Sequence, residues 1–159
     1  MSGRQESLAD AVIRSTDWAS FELFNGTADG FGELLAAFIA ADESRTADDL
    51  WDTMDNRVFA QDDIFSAAEP TIEVLLAALS EPRSRTAWIG ILDLLFHLVQ
   101  PASYRGDELG GRCLMVAAQG GWLLVREALA SDALLRDACL EILDICAPDC
   151  ARAIRMVHG

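Results

Sequence analysis

Glu33-Leu-Leu-Ala-Ala-Phe38 and Val74-Leu-Leu-Ala-Ala-Leu79 are the stretches on which the fold turns. Each is followed by the same tripeptide, Ser44-Arg45-Thr46 after the first and Ser84-Arg85-Thr86 after the second. An offset of about 40 residues is the period of helix-pair repeats, whose units each leave an apolar face that a neighbour must cover. A third copy follows. Ala78-Leu79-Ser80-Glu81-Pro82 is matched by Ala128-Leu129-Ala130-Ser131-Asp132, Arg85 by Arg136, and Ile91-Leu92-Asp93-Leu94-Leu95 by Ile142-Leu143-Asp144-Ile145-Cys146. Here the offset is about 50, an ordinary repeat lengthened by an insertion. The polar stretch from Gln100 to Asp107 supplies it.

Outward from these copies the chain reads as helix after helix. Apolar periodicity places helices over Leu8–Ser15, Asp17–Phe24, Phe31–Ala41 and Ala47–Phe59. Others follow over Ile64–Leu79, Ser84–Val99, Leu109–Ala118, Trp122–Ala130, Asp132–Ala147 and Asp149–Val157. Pro70 falls inside the fifth, which must kink or restart there. Thr46 and Asp132 are the expected N-caps, because a short side-chain oxygen there accepts from the orphan amides of the first turn. The four tryptophans read mostly as core, with Trp18, Phe21 and Phe24 placed to seal the N-terminal end. The expectation is one all-α domain over residues 1–159, an α-solenoid of about four antiparallel helix pairs. Residues 1–30 form its cap, 31–99 the first repeats, 100–108 an insertion loop and 109–159 the C-terminal repeats.

Composition agrees. Apolar residues make up 52% of the chain, with a single Tyr and few runs of β-branched residues, which favours helix over strand. The formal charge is −14 and every basic residue is Arg. Such a surface repels phosphates and anionic membranes and attracts basic partners, so neither nucleic acid nor membrane is expected to bind. Met1 to Ser7 contains no apolar run of the kind a secretory leader needs, and Ile89–Val99 is too short to span a bilayer. Cys113, Cys139, Cys146 and Cys150 sit in apolar helical patterns. Reduced thiols, and hence a cytoplasmic location, are the simplest account.

The most informative local feature is an acidic band. Between Asp42 and Glu73 stand Asp48, Asp49, Asp52, Asp55, Asp62 and Asp63 among other acids, opposed only by Arg45 and Arg57. On a helix, Asp48, Asp52 and Asp55 share one face with Trp51 at its apolar border, and like charges so close weaken the helix. One reading is an ordinary solvated acidic surface. The other is a docking face for a basic partner, with Trp51 as anchor and Asp48, Asp52, Asp55, Asp62 and Asp63 around it.

Chemistry finds little purchase. The paired aspartates lack the alternating ligands and glycine of a calcium loop, and no His-Glu-x-x-His pattern occurs. Pro148 stands between Cys146 and Cys150, and neither His97 nor His158 lies at a ligand spacing from them. Gly-x-Ser-x-Gly elbows and phosphate-cradling glycine loops are missing, and the Gly110-Gly111 and Gly120-Gly121 pairs read as turns at helix boundaries. No catalytic residue, cofactor or metal is expected.

The stretch Val58-Phe-Ala-Gln61-Asp-Asp-Ile64-Phe65-Ser-Ala67-Ala-Glu-Pro70, with Leu75-Leu76 after it, resembles bacterial HEAT-like repeat proteins. So does the stretch from Arg112-Cys113 to Gly120, continued by Leu129 to Asp132, Arg136 and Leu143. The resemblance spans about residues 47–157 and departs at Asp62-Asp63, where the family more often has small residues. It implies a right-handed HEAT-like solenoid, with Asp132 capping a second helix and Arg136 facing its neighbour. It also implies an immunity-type role, because similar proteins often accompany toxin genes. The expected function is therefore a non-catalytic module, monomeric when free, that neutralises a basic toxin through its acidic face. A HEAT-like scaffold or assembly factor without a toxin partner is the alternative. A helical-repeat DNA glycosylase would need a basic groove, which this charge does not supply.

Overall fold

The computed structural model describes residues 5–158. It is mostly helical, at 72%, with nine α-helices and little sheet. In order these are α1 (Leu8–Ser15), α2 (Phe31–Ile39), α3 (Ser44–Met54), α4 (Ala68–Leu79), α5 (Arg85–Arg105), α6 (Glu108–Gln119), α7 (Gly121–Ala130), α8 (Ala133–Cys146) and α9 (Pro148–His158). Two short antiparallel hairpins interrupt them: β1 (Glu22–Leu23) with β2 (Gly26–Thr27), and β3 (Phe59–Ala60) with β4 (Asp63–Ile64).

Helix starts are fixed by local chemistry. Ser7 and Asp10 close a capping box on α1. Ser84 accepts from the Ala87 amide at 3.1 Å, Asp107 from Gly110 at 3.0 Å and Asp132 from Leu135 at 3.1 Å, so α5, α6 and α8 open on the same device. Asp132 is thus a cap as expected. Its arginine partner is Arg85, at the start of α5, through a 3.1 Å hydrogen bond.

The core centres on α5. Ile91, Leu92, Leu94, Leu95, Leu98 and Val99 are all buried there, and the helix packs against α2, α3, α4, α6 and α8. Helix α4 is buried almost all round, and its Thr71 hydroxyl is satisfied by donating to the Ala67 carbonyl at 2.6 Å. Beside α5, α1 lies against α4, α4 against α6 and α7, and α7 against α9. The matched segments Ile91–Leu95 and Ile142–Cys146 fall in α5 and α8, which pack side by side. The forty-residue match is less regular: Glu33–Phe38 lies in α2 and Val74–Leu79 in α4, yet α2 packs more broadly on α5 than on α4.

Several expectations are corrected. Residues 17–24 form a 3-10 turn (Trp18–Ser20) and strand β1, because Trp18 is drawn inward, its indole donating to the Ile13 carbonyl at 3.0 Å. Helix α3 begins at Ser44, so Thr46 is inside it and caps nothing. It stops at Met54, where Asn56 takes a left-handed φ of 62°, and the buried Val58, Phe59 and Ala60 leave the helical path. The fifth expected helix, α4, starts at Ala68 and not at Ile64, so Pro70, expected to kink or restart it, sits in its first turn, where its missing N–H has no intrahelical partner to lose. Residues 100–108 are not an inserted loop, since α5 runs on to Arg105 with Pro101 and Ala102 buried, and turns out at Gly106 with φ 67°. Trp122 is 72% exposed rather than core.

Candidate functional site

Helix α3 lies across α5 and leaves a cleft of about 220 Å³ between them. Phe38 and Trp51 line it with ring surface, Asp48 stands on the α3 wall, and Thr86, Gly90 and Asp93 stand on the α5 wall. Local packing explains the floor. Trp51 is held by Phe38, Phe59 and His97 at centroid distances of 6.3, 5.5 and 5.0 Å. Gly90 lets Phe38 approach, because a Cβ there would stand 3.1 Å from the ring. On the far side of the same α5 ridge is a second cleft of about 150 Å³, where α5 meets α8. Leu92, Phe96, Leu134 and Ala138 line it, with Glu141 at its edge. Ile89 and Asp93, one turn apart on α5, border both clefts.

His97 sits behind Trp51. With its proton on Nδ1 it donates to the Asp93 carbonyl at 2.8 Å, and the Asp93 carboxylate is 3.4 Å away. That hydrogen-bonding side chain is the main reason the imidazole pKa is raised above its ordinary 6.5. Partial burial works against the rise, and the charges of Asp93 and Asp55 add to it.

The expected site residues separate into groups. Asp48 and Trp51 line the first cleft. Asp52 is exposed farther along α3 and Asp55 is exposed just past its end, near enough to act on His97. Asp62 is exposed at the tip of the β3–β4 hairpin, where it and Gln61 take φ of 60° and 53°. Asp63, half-exposed, is paired with Arg105 at 2.6 Å. Among the described residues none of Asp48, Asp49, Asp52 and Asp55 has an arginine within 4.0 Å, whereas Asp63, Glu69, Asp107, Asp132 and Asp144 each do. Most of the uncompensated charge of the acidic band thus lies on and beside α3.

Asp93, Ile89, Leu134 and Glu141 complete the face and were not expected. Asp93 did carry a signal, as the one carboxylate inside the apolar run Ile89–Val99. Among the described residues, no group of three or more His, Cys, Asp or Glu side chains is placed to hold a metal ion, and no single helix is long and apolar enough to cross a membrane. Compared with models of known families, with curated proteins and with solved structures, the chain shows no match.

Proposed function

We propose that this chain is a non-catalytic protein-binding module, a short HEAT-like array that offers the face formed by α3, α5 and α8 to a basic protein. Within that class the reading is an immunity-type protein that neutralises a basic toxin or effector in the cytoplasm. The array reading is supported by two rows of neighbouring helices, α1–α4–α7 and α2–α5–α8, each packing along its own line. Its resemblance to HEAT-like proteins and its charge of −14 support the toxin reading.

One observation carries the choice of face. Asp48 of α3, which has no arginine within 4.0 Å among the described residues, lines the first of two mainly apolar clefts, the second lies across α5, and exposed Ile89 and Leu134 stand beside them. Charge around apolar pockets is the usual division of labour at a specific interface: the charges speed and orient encounter while the buried anchors hold.

The test is capture from producing cells with the wild-type chain and with Asp48, Asp52 and Asp55 all changed to Arg, followed by calorimetry on the purified partner. A basic partner, bound by the wild type and lost by the triple variant, with affinity that falls as salt rises, is the expected result. A partner held equally by both, or one that is acidic, sinks the reading. Rescue of growth when the partner is co-expressed with this chain separates a toxin inhibitor from the alternative, a scaffold without a toxin partner. The scaffold reading draws its support from Met115, Trp122 and Met156, which are 65%, 72% and 80% exposed and lie outside the acidic face.

A further inference from the structure

We infer that the cleft between α3 and α5 is a receptor for a single basic side chain, arginine in preference to lysine, that a partner inserts over Trp51 between Asp48 and Asp93. The inference rests on the reading of the acidic face and specifies what enters it. Size comes first. A cleft of about 220 Å³ is smaller than the roughly 300–1,000 Å³ that takes a drug-sized molecule, and suits one side chain.

Chemistry narrows the occupant. The aromatic surface of Phe38 and Trp51 favours an apolar body or a delocalised cation, and carboxylates on both walls reject an anion. A purely apolar group would strip water from Asp48 and Asp93 and give nothing back. Hard metal ions need six or more oxygen ligands, far more than this ring-lined cleft offers. Guanidinium meets every demand. It is planar enough to stack on an indole, is weakly hydrated, and carries donors in a fork that can reach carboxylates on opposite walls at once. Ammonium satisfies the charge but neither the stacking nor the fork. The pocket beyond Ile89, lined by Phe96 and Leu134, would take an apolar side chain next to that arginine.

The test needs no partner. The indole Nε1–H resonance of Trp51 is followed by NMR while N-acetyl-arginine amide, N-acetyl-lysine amide or N-acetyl-citrulline amide is added. Citrulline keeps the shape of arginine and removes its charge. Saturable shifts with arginine amide at millimolar concentration are expected, about tenfold weaker with citrulline amide and intermediate with lysine amide. Asp48→Asn should weaken the arginine response at least about threefold, whereas Asp49→Asn, which removes the same charge from the same helix, leaves it unchanged. Equal response to citrulline and arginine, a response that does not saturate, or equal effects of the two asparagine variants would overturn the receptor. Its fate is separable from that of the wider face. If arginine amide binds while reversal of Asp52 and Asp55 leaves the captured protein's affinity untouched, the receptor stands and the face reading falls. If the captured protein needs Asp52 and Asp55 while Trp51 stays silent to arginine amide, the face stands and the receptor falls.

Discussion

Arg105, in the last turn of α5, donates through Nη1 to the Asp63 carboxylate at 2.6 Å and so ties the β3–β4 hairpin to the end of the central helix. The same guanidinium reaches the Ile64 carbonyl at 3.2 Å and Asp107, the cap of α6, at 2.8 Å. The charge of Asp63 is therefore spent on the fold, while that of Asp48 stands open at a cleft.

Opposite profiles follow for the two aspartates. Asp63→Asn should lower stability by about 1 kcal/mol or less, since the pair is partly exposed, and leave affinity for a basic partner within about twofold. Asp48→Asn should leave the melting temperature unchanged and weaken that partner. Thermal melts beside calorimetry decide it, and an Asp63 variant that loses binding without losing stability returns Asp63 to the interface.

What could be read in advance tracks how local the cause is. Helix α1 and the cap at Asp132 follow from neighbours a few residues away, and the apolar spacing of α5 and α8 is visible in one turn after another. The hairpins escaped because their strands are two residues long, too short for alternation to register, and the second turn uses Gln61-Asp62 where Asn-Gly would announce it. The stretch from Gln100 to Asp107 misled for a related reason: its polar residues read as an insertion, but Pro101 and Ala102 within it are buried in α5. At the site, Asp48 and Trp51 were legible because one helix presents both. Asp93 and Glu141 join them only through packing of α3, α5 and α8. Asp63 was misplaced because the arginine that claims it is 42 residues away.

Two adjacent glycines of α6 should respond in opposite senses to alanine. A Cβ on Gly110 would stand 2.5 Å from the Ala102 carbonyl oxygen, which belongs to the backbone of α5 and cannot swing aside. Gly110→Ala should force the two helices apart and cost about 1–3 kcal/mol, the range of overpacked cores. Gly111 meets nothing within 4 Å, and alanine there should gain up to about 1 kcal/mol from helix propensity. Denaturant midpoints of the two variants, shifted in the same direction, would contradict the close approach of α5 and α6.

At the β3–β4 tip, Gln61 and Asp62 hold φ of 53° and 60°, a type I′ geometry that costs an L-residue roughly 1–2 kcal/mol. Replacing both together, Gln61→Asn with Asp62→Gly, should raise stability by about 1–2 kcal/mol. If the exposed Asp62 carboxylate also helps to attract the basic partner, the same variant associates more slowly at low salt, and the difference closes as salt rises. A variant no more stable than the wild type would mean that the turn is not strained.

Stability should also respond to pH through one histidine. His97 has its pKa raised above 6.5, first by its hydrogen bond to Asp93 and then by the charges of Asp93 and Asp55, against partial burial among Trp51, Phe59 and Phe96. A raised cationic group binds its proton more tightly folded than unfolded. Its stabilisation is therefore complete below 6.5 and is lost as pH climbs through the folded-state value. Carboxylates held low by arginine, such as Asp144 beside Arg155, act in the opposite sense: their contribution is present above the ordinary 3.8 and lost as pH falls through the lowered folded-state value, well clear of the histidine window. Thermal melts between pH 5.5 and pH 8.5, roughly one unit below to two units above the ordinary histidine value, should show the wild type losing more stability than His97→Gln across that span. Asp93→Asn should bring the NMR titration midpoint of the His97 ring back toward 6.5, and Asp55→Asn should move it by less. Wild-type and His97→Gln melting curves that stay parallel over the whole range would remove His97 from the pH response. The Asp93 contact would then be one of packing alone.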